Sequence, residues 1–463
     1  MSPAAAKIST GERAFLGDVL HAPVRGQIES LTGALMIVGA DGRIGALLRQ
    51  DTPDGVAAAT RFRAAGRLTE LAAGQYWLPG LVDLHIHAPQ WPQLGKALDL
   101  PLEQWLHEYT FPLEARCADR RYAEAIYDSL VAALLANGTT TAVYYASIHL
   151  PATQSLAATC LRLGQRALVG KVAMDDPSQC PDYYRDNSAD SAVADTRAFL
   201  KYVHAMPGNA SQLIRPVITP RFIPSCTDAL LAALGRFASE SGCHVQTHCS
   251  ESDWEHGYVL RRCGRTDTAA LAAFGLLTRH TILAHGNFID DEDVKTIVGR
   301  GSGIAHCPLS NVYFSDAVFP LRSMLERGVH VGLGTDIAGG ASPSILENTR
   351  QAIIASRMLE SGVDAALSRS ARRRPESHID ASTGFWLATA GGGIALDLPV
   401  GIFREGYQFD AIVVDTLMPG SNLHREDGDT PAEMLQKIIY HAARSDLRQV
   451  WVAGRQVHAA GPR

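Results

Sequence analysis

Eight short apolar runs, each separated from the next by a segment of loop or helix length, constrain this chain more than any other feature. In order they are GLVDLHIH, TTTAVYYAS, RALVGKVAMD, IRPVITPRF, CHVQTHCSE, TILAHG, GSGIAHCP and HVGLGTD. Between the first two, RRYAEAIYDSLVAALLA carries apolar side chains at 122, 126, 130, 134 and 135, close to helical spacing. Asp119 is placed to cap that helix and Asn137-Gly138 to stop it. Strands alternating with helices imply right-handed βαβ units and a mainly parallel sheet. With eight strands, the economical closure is a (β/α)₈ barrel, which takes about 250 residues. The chain has 463 residues and needs an accessory module. Both ends supply one: ALMIVGADGRIGAL reads as a hairpin turning at Asp41-Gly42, and QFDAIVVD and RQVWVAGRQVHAAG are further short β runs. The expected architecture is an α/β barrel over 78–399 and a small β-sandwich built from 1–77 and 400–463.

Several of these runs end in side chains that bind metals. His85 and His87 lie two apart on the first strand, so they project together, with Cα atoms roughly 6–7 Å apart. That spacing lets both imidazoles reach one ion. An H-x-H pair alone is a weak signal and fits two surface histidines equally well. However, the fifth run ends in His248 with Glu251 three residues later, the sixth in His285 and the eighth in Asp336. If the strands close, these groups meet at the carboxyl-end mouth, where barrels of this type hold their chemistry.

The pattern resembles the amidohydrolase superfamily: H-x-H on strand one, His on strands five and six, Asp on strand eight. The segments PGLVDLHIHAPQ, ALDLPLEQWLHEYTFPLEAR, GTTTAVYYASIH, VITPRFIPSC, THCSE, IAHCPLSN and GLGTDIAGG are similar to the guanine deaminases within it, over about residues 78–400. HAPQ and TPRF discriminate, because the other elements are shared across the superfamily. The resemblance implies hydrolysis of guanine to xanthine and ammonia by a metal-activated water. It implies one divalent metal, zinc with Fe²⁺ as the alternative, on His85, His87, His248 and Asp336. His285 and Asp336 would hold and deprotonate the water, and Glu251 would carry protons. Gln90, Arg221, Phe222 and Glu251 would contact the purine. Trp91 stands where the family more often carries Tyr. A homodimer is also implied.

Plainer readings stand beside these. Arg221 fits a barrel-end salt bridge, Phe222 a core position, Gln90 a loop amide, and Glu251 the cap of a helix starting in SESDWEHG. His306 reads as a residue that supports the metal ligands from behind or as a packing residue, and His149, His244 and His280 as structural. A binuclear centre would need a lysine ending strand four, but that run ends in Arg221-Phe222. Lys171, one strand earlier, reads as structural or solvated. The other zinc deaminase class needs P-C-x-x-C, which is absent, so His424-Arg425-Glu426 matches its first half by chance. Two other functions compete. One is a hydrolase of another aminated or chlorinated heterocycle, such as a pterin or triazine. The other is an inactive scaffold relative, against which the full set of metal-binding residues argues.

Composition narrows the setting. The net charge of −6 has no basic stripe, which argues against nucleic acid. The basic cluster at 368–374 reads as a solvated helix or loop. No apolar run of about 18 residues exists to cross a membrane. Eight scattered cysteines without a C-x-x-C pair suit reduced thiols and a cytoplasmic location.

Overall fold

The computed structural model describes residues 8–461. Eight strands, β1 (Leu81–His87), β2 (Thr139–Tyr145), β3 (Arg166–Gly170), β4 (Ile214–Pro220), β5 (His244–Cys249), β6 (Thr281–His285), β7 (Gly303–His306) and β8 (His330–Leu333), lie side by side in chain order. All seven neighbouring pairs are parallel. These strands are buried along nearly their whole length, as expected for a parallel sheet covered on both faces. Val82, Leu84, Val143, Leu168, Val217 and Ile282 form one apolar cluster contributed by five strands, joined by Leu396 and Leu398 from the chain that follows the barrel strands.

The barrel closes where the chain leaving β8 meets β1. Asp336 N–H donates to the His85 carbonyl at 2.8 Å, and His87 N–H donates to the Ile337 carbonyl at 2.8 Å. The Asp83 carboxyl accepts from Thr335 N–H (3.0 Å) and Thr335 Oγ1 (2.6 Å) across the same seam. Burial pushes that carboxyl up to about 7.

The helix read from the sequence spans Arg120–Ala136; the Asp119 carboxylate accepts from Arg121 N–H at 2.9 Å, and Asn137 ends it. Its buried face carries Ile126, Tyr127, Leu130, Leu134 and Leu135.

The terminal segments form a separate mixed sheet of eight strands. Strand Gln75–Pro79 pairs in parallel with Arg13–Val24 and antiparallel with Ala411–Asp415, joining the two ends of the chain. The hairpin Gln27–Val38/Ile44–Arg49 turns through Gly42 at φ +78°, a conformation that favours glycine. Phe15, Trp77, Phe409 and Trp451 cluster on this sheet, with Phe15 stacked on Phe409. Reading the ends as strands alone overlooks two helices. Pro53–Ala64 is capped by Thr52, and Pro431–His441 has a Thr430/Glu433 capping box. Both begin with Pro after a Thr cap, which is a helix-start signal. The sheet is fastened to the barrel by Arg166 on β3, whose guanidinium donates twice to Asp410 (2.9 and 3.1 Å).

His244 and His280 lie away from the mouth, their rings 4.9 Å apart. His244 Nε2 is 2.8 Å from the Leu396 carbonyl, and burial holds its imidazole down at about 4, from an ordinary 6.5. As pH falls, the unfolded chain takes up this proton first. The contribution to stability is therefore complete above about pH 6.5 and is lost progressively toward about pH 4. Replacing His244 with Gln should flatten that part of a stability–pH curve followed by urea unfolding; an unaltered slope would contradict the assignment.

Candidate metal centre and pocket

His85 and His87 end β1, His248 is on β5, and His285 ends β6. His285 and Asp336 sit at φ +71° and +48°. Non-glycine residues rarely adopt this conformation, which costs on the order of 1–3 kcal/mol each and concentrates at functional sites.

The rings gather tightly: His85 lies 4.9 Å from His87, 4.8 Å from His248 and 5.4 Å from His285, centroid to centroid. Asp336 Oδ1 is 3.1 Å from His85 Nε2 and 3.5 Å from His87 Nε2. His248 Nδ1 is 2.6 Å from the Arg221 carbonyl, which only accepts. Nδ1 therefore carries the proton, and the Nε2 lone pair points at His87 Nε2, 3.0 Å away. Buried His85 Nε2 and His285 Nε2 have no hydrogen-bond partner. Burial, reinforced by neighbouring positive charge, drives His85, His87 and His248 well below the usual histidine range, so they are neutral. Neutral imidazoles with orphaned lone pairs beside a carboxylate are the donor set a divalent cation needs. The triples His85/His87/Asp336, His85/His248/His285 and Glu251/His285/Asp336 each bring ligand atoms within 4.8 Å of one another. Burial pushes the Asp336 carboxyl up to about 6; a cation alongside would pull it back down.

A pocket opens over this cluster, its empty space about 380 Å³ when the solvent at its mouth is counted. His87, His248, Glu251 and Asp336 line one side of it, with Gln90, Arg221 and Phe222 also in the lining. Leu102, Trp105, Leu106, Phe314 and Gly339, none of them singled out from the sequence, complete the walls. Trp105 and Phe314 pack with centroids 4.9 Å apart. Glu251 is buried, with Oε1 3.5 Å from His285 Nε2; burial first, then the Asp336 charge, raises its carboxyl well above the usual range. The cap of the following helix is Ser252, not Glu251.

Arg221 is both pocket wall and salt-bridge residue. Its guanidinium donates to both oxygens of buried Glu114, at 2.7 and 3.2 Å, and lies over the Phe111 ring at 5.1 Å. Gln90 Nε2 donates to the same carboxylate at 2.7 Å, and Gln90 Oε1 accepts from Ala338 N–H at 3.1 Å. Glu114 went unnoticed in the sequence because it ends no strand. Its one signal is the need of a buried arginine for a counter-charge. Trp91 turns away from the pocket and donates to Ser129 Oγ at 3.1 Å, so its difference from Tyr leaves the pocket wall untouched. His306 packs against Phe319, and Lys171 is buried in an ion pair with Asp186. His149 lies beside Tyr184. The basic segment contains a short helix, Arg369–Arg372, with no buried residue, and His424 pairs with Glu426 on the surface.

The amidohydrolase family model matches residues 76–457. The guanine deaminase of Dictyostelium discoideum is 35% identical over 454 residues, covering 96% of this chain and 97% of that protein. The human guanine deaminase is 34% identical over 451 residues, covering 96% of each. Among solved structures, a guanine deaminase from C. acetobutylicum with guanine bound in its active site superposes with a TM-score of 0.85. The two are 29% identical, and the match covers 96% of this chain and all of that one.

The orientation of His285 follows from a chain of amides. Asn287 Nδ2 donates to the Glu251 carbonyl, Asn311 Nδ2 donates to Asn287 Oδ1, and Asn311 Oδ1 faces His285 Nδ1, each at 2.9 Å. The carbonyl only accepts, so the whole chain runs one way: Nδ1 holds the proton and Nε2 presents its lone pair to the pocket side. An Asn311→Leu variant should lose about 1–3 kcal/mol in denaturant unfolding, because a buried N–H is left unpaired. Its ¹⁵N spectrum should show a mixture of His285 tautomers where the parent shows one. A single, unchanged tautomer would rule the chain out as its cause.

Proposed function

The chain belongs to the amidohydrolase family, and from that premise we propose that it hydrolyses guanine to xanthine and ammonia. The observation that carries this reading is one pocket whose lining brings Arg221 and Gln90 together with Glu251 and the His/Asp cluster. The alignment of the chain with guanine deaminases over 96% of its length supports it.

The metal would be held by His85, His87, His248 and Asp336; the short separations of Asp336 Oδ1 from His85 and His87 Nε2, and of His87 from His248 Nε2, support this choice. When bound, the cation supplies Lewis acidity that makes a water nucleophilic near pH 7. Zinc, with Fe²⁺ as the alternative, suits three imidazoles and one carboxylate. Arg221 and Gln90 would hold the lactam oxygen at C6, while Phe222, Trp105 and Phe314 exclude water around the ring. Glu251, kept protonated by its burial, would donate to N3 and so activate C2. His285 Nε2, holding a free lone pair, would accept the proton of the attacking water with Asp336 beside it. Glu251, now ionised, would take the remaining proton from the hydroxyl at C2 and pass it to the amino group as the C2–N bond breaks and the C2 carbonyl forms; the proton held by His285 then returns to Glu251. Water and guanine are consumed, and xanthine and ammonia leave.

Among the described residues no helix is long and apolar enough to cross a membrane. The eight cysteines are unpaired and mostly buried, which supports a reducing, cytoplasmic setting. A homodimer belongs to the same reading and is checked by sedimentation.

Metal-replete protein should release ammonia from guanine and reject adenine by about 10⁴ or more, if the oxygen contact is buried. Dialysis against a chelator should abolish turnover, and added zinc or Fe²⁺ should restore it. Faster release from a pterin or an aminotriazine would favour the competing substrate class. Arg221→Ala should cut kcat/KM for guanine by about 100-fold or more while metal content holds, the loss of a charged hydrogen bond and its partner's pairing. Unchanged kinetics would remove Arg221 from the substrate contacts.

A further inference from the structure

Arg221 and Gln90 line the pocket, but Glu114, which binds both, does not. We infer that Glu114 is a positioning residue that sets the specificity of this pocket for a ring carbonyl. The assignment rests on the reading of the pocket as a guanine site.

The Glu114 carboxylate can only accept, and Ala338 N–H can only donate. Gln90, between them, therefore has one permitted amide orientation: Nε2 on Glu114 at 2.7 Å and Oε1 on Ala338 at 3.1 Å. Without the carboxylate, the single bond from Ala338 N–H would be left to restrain the amide, and its N–H groups would lose their fixed direction. Arg221 is fixed by the same group through a two-point contact at 2.7 and 3.2 Å, a geometry that restrains the guanidinium plane as well as its position. After these bonds, Arg221 has spare N–H groups and no acceptor, and the Gln90 amide nitrogen has a second N–H. The groups left to bind a ligand on this side are thus mainly donors, suited to an acceptor such as C6=O and mismatched to an amino group. Glu114 also supplies the negative charge that lets an arginine lie buried near a cluster built to hold a cation; all three side chains are almost wholly inaccessible.

The test compares two substrates that share the reacting C2 amino group: guanine, and 2-aminopurine, which has hydrogen in place of the C6 oxygen. In the parent, kcat/KM should favour guanine. In Glu114→Gln, the ratio of guanine to 2-aminopurine should fall by about 10- to 100-fold, the value of a charged hydrogen bond that loses its alignment. Glu114→Asp, which keeps the charge but shortens the reach, should restore part of the ratio. If the Gln variant does not fold, the Asp variant is read alone, and a lowered ratio there supports the assignment. A loss shared equally by both substrates leaves the ratio unchanged and overturns it. Parent protein that releases no ammonia from guanine overturns the functional reading as a whole. Parent protein active on guanine, with variants of unaltered ratio, overturns the role of Glu114 alone.

Discussion

The seam between the first and last barrel strands is the constraint on which the rest depends. Asp83 grips Thr335 through its backbone N–H and its hydroxyl, and two backbone hydrogen bonds from residues 336 and 87 continue the closure. Without it, His85 and His87 would stand about 250 residues away in sequence from Asp336, with nothing to join them. With it, Asp336 Oδ1 comes within 3.1 Å of His85 Nε2. The bonds that close the sheet run through the residues that form the cluster, so fold and site are one arrangement.

The charges are organised by burial. Imidazoles kept neutral face a carboxylate, and the one arginine of the pocket wall is neutralised from behind. An isolated charge in such surroundings would cost several kcal/mol. Each potential charge here has an assigned neighbour or is suppressed. The amide chain through Asn311 and Asn287 adds direction to this, since it ties the ring of His285 to the backbone of Glu251.

Much of this was legible in the sequence. A strand has a period of two and ends abruptly, so His85, His87, His248, His285 and Asp336 announced themselves at the ends of apolar runs, and the structure gathers them at one mouth. Gln90, Arg221, Phe222 and Glu251 follow such ends within a few residues and line or enter the same pocket. Glu114, Asn287 and Asn311 carry no comparable mark. Glu114 sits on a short helix and Asn311 opens the helical turn Asn311–Ser315, and their partners come from other parts of the chain. Nothing local to them reveals which residue they will meet. The helices at Pro53–Ala64 and Pro431–His441 are a different case: their caps were readable, but short apolar stretches around them outweighed the signal.

The mixed sheet has an implication for how the molecule is made. Strand Gln75–Pro79 needs Ala411–Asp415 on one flank, and that partner is synthesised more than 300 residues later. At ordinary ribosomal speeds of about 5–20 residues per second, this edge waits roughly 20–70 s, open to pairing with another chain. The Gln75–Pro79 edge of the nascent N-terminal sheet is thus open to aggregation during synthesis, and a chaperone that covers it would stay engaged until the C-terminal strands emerge.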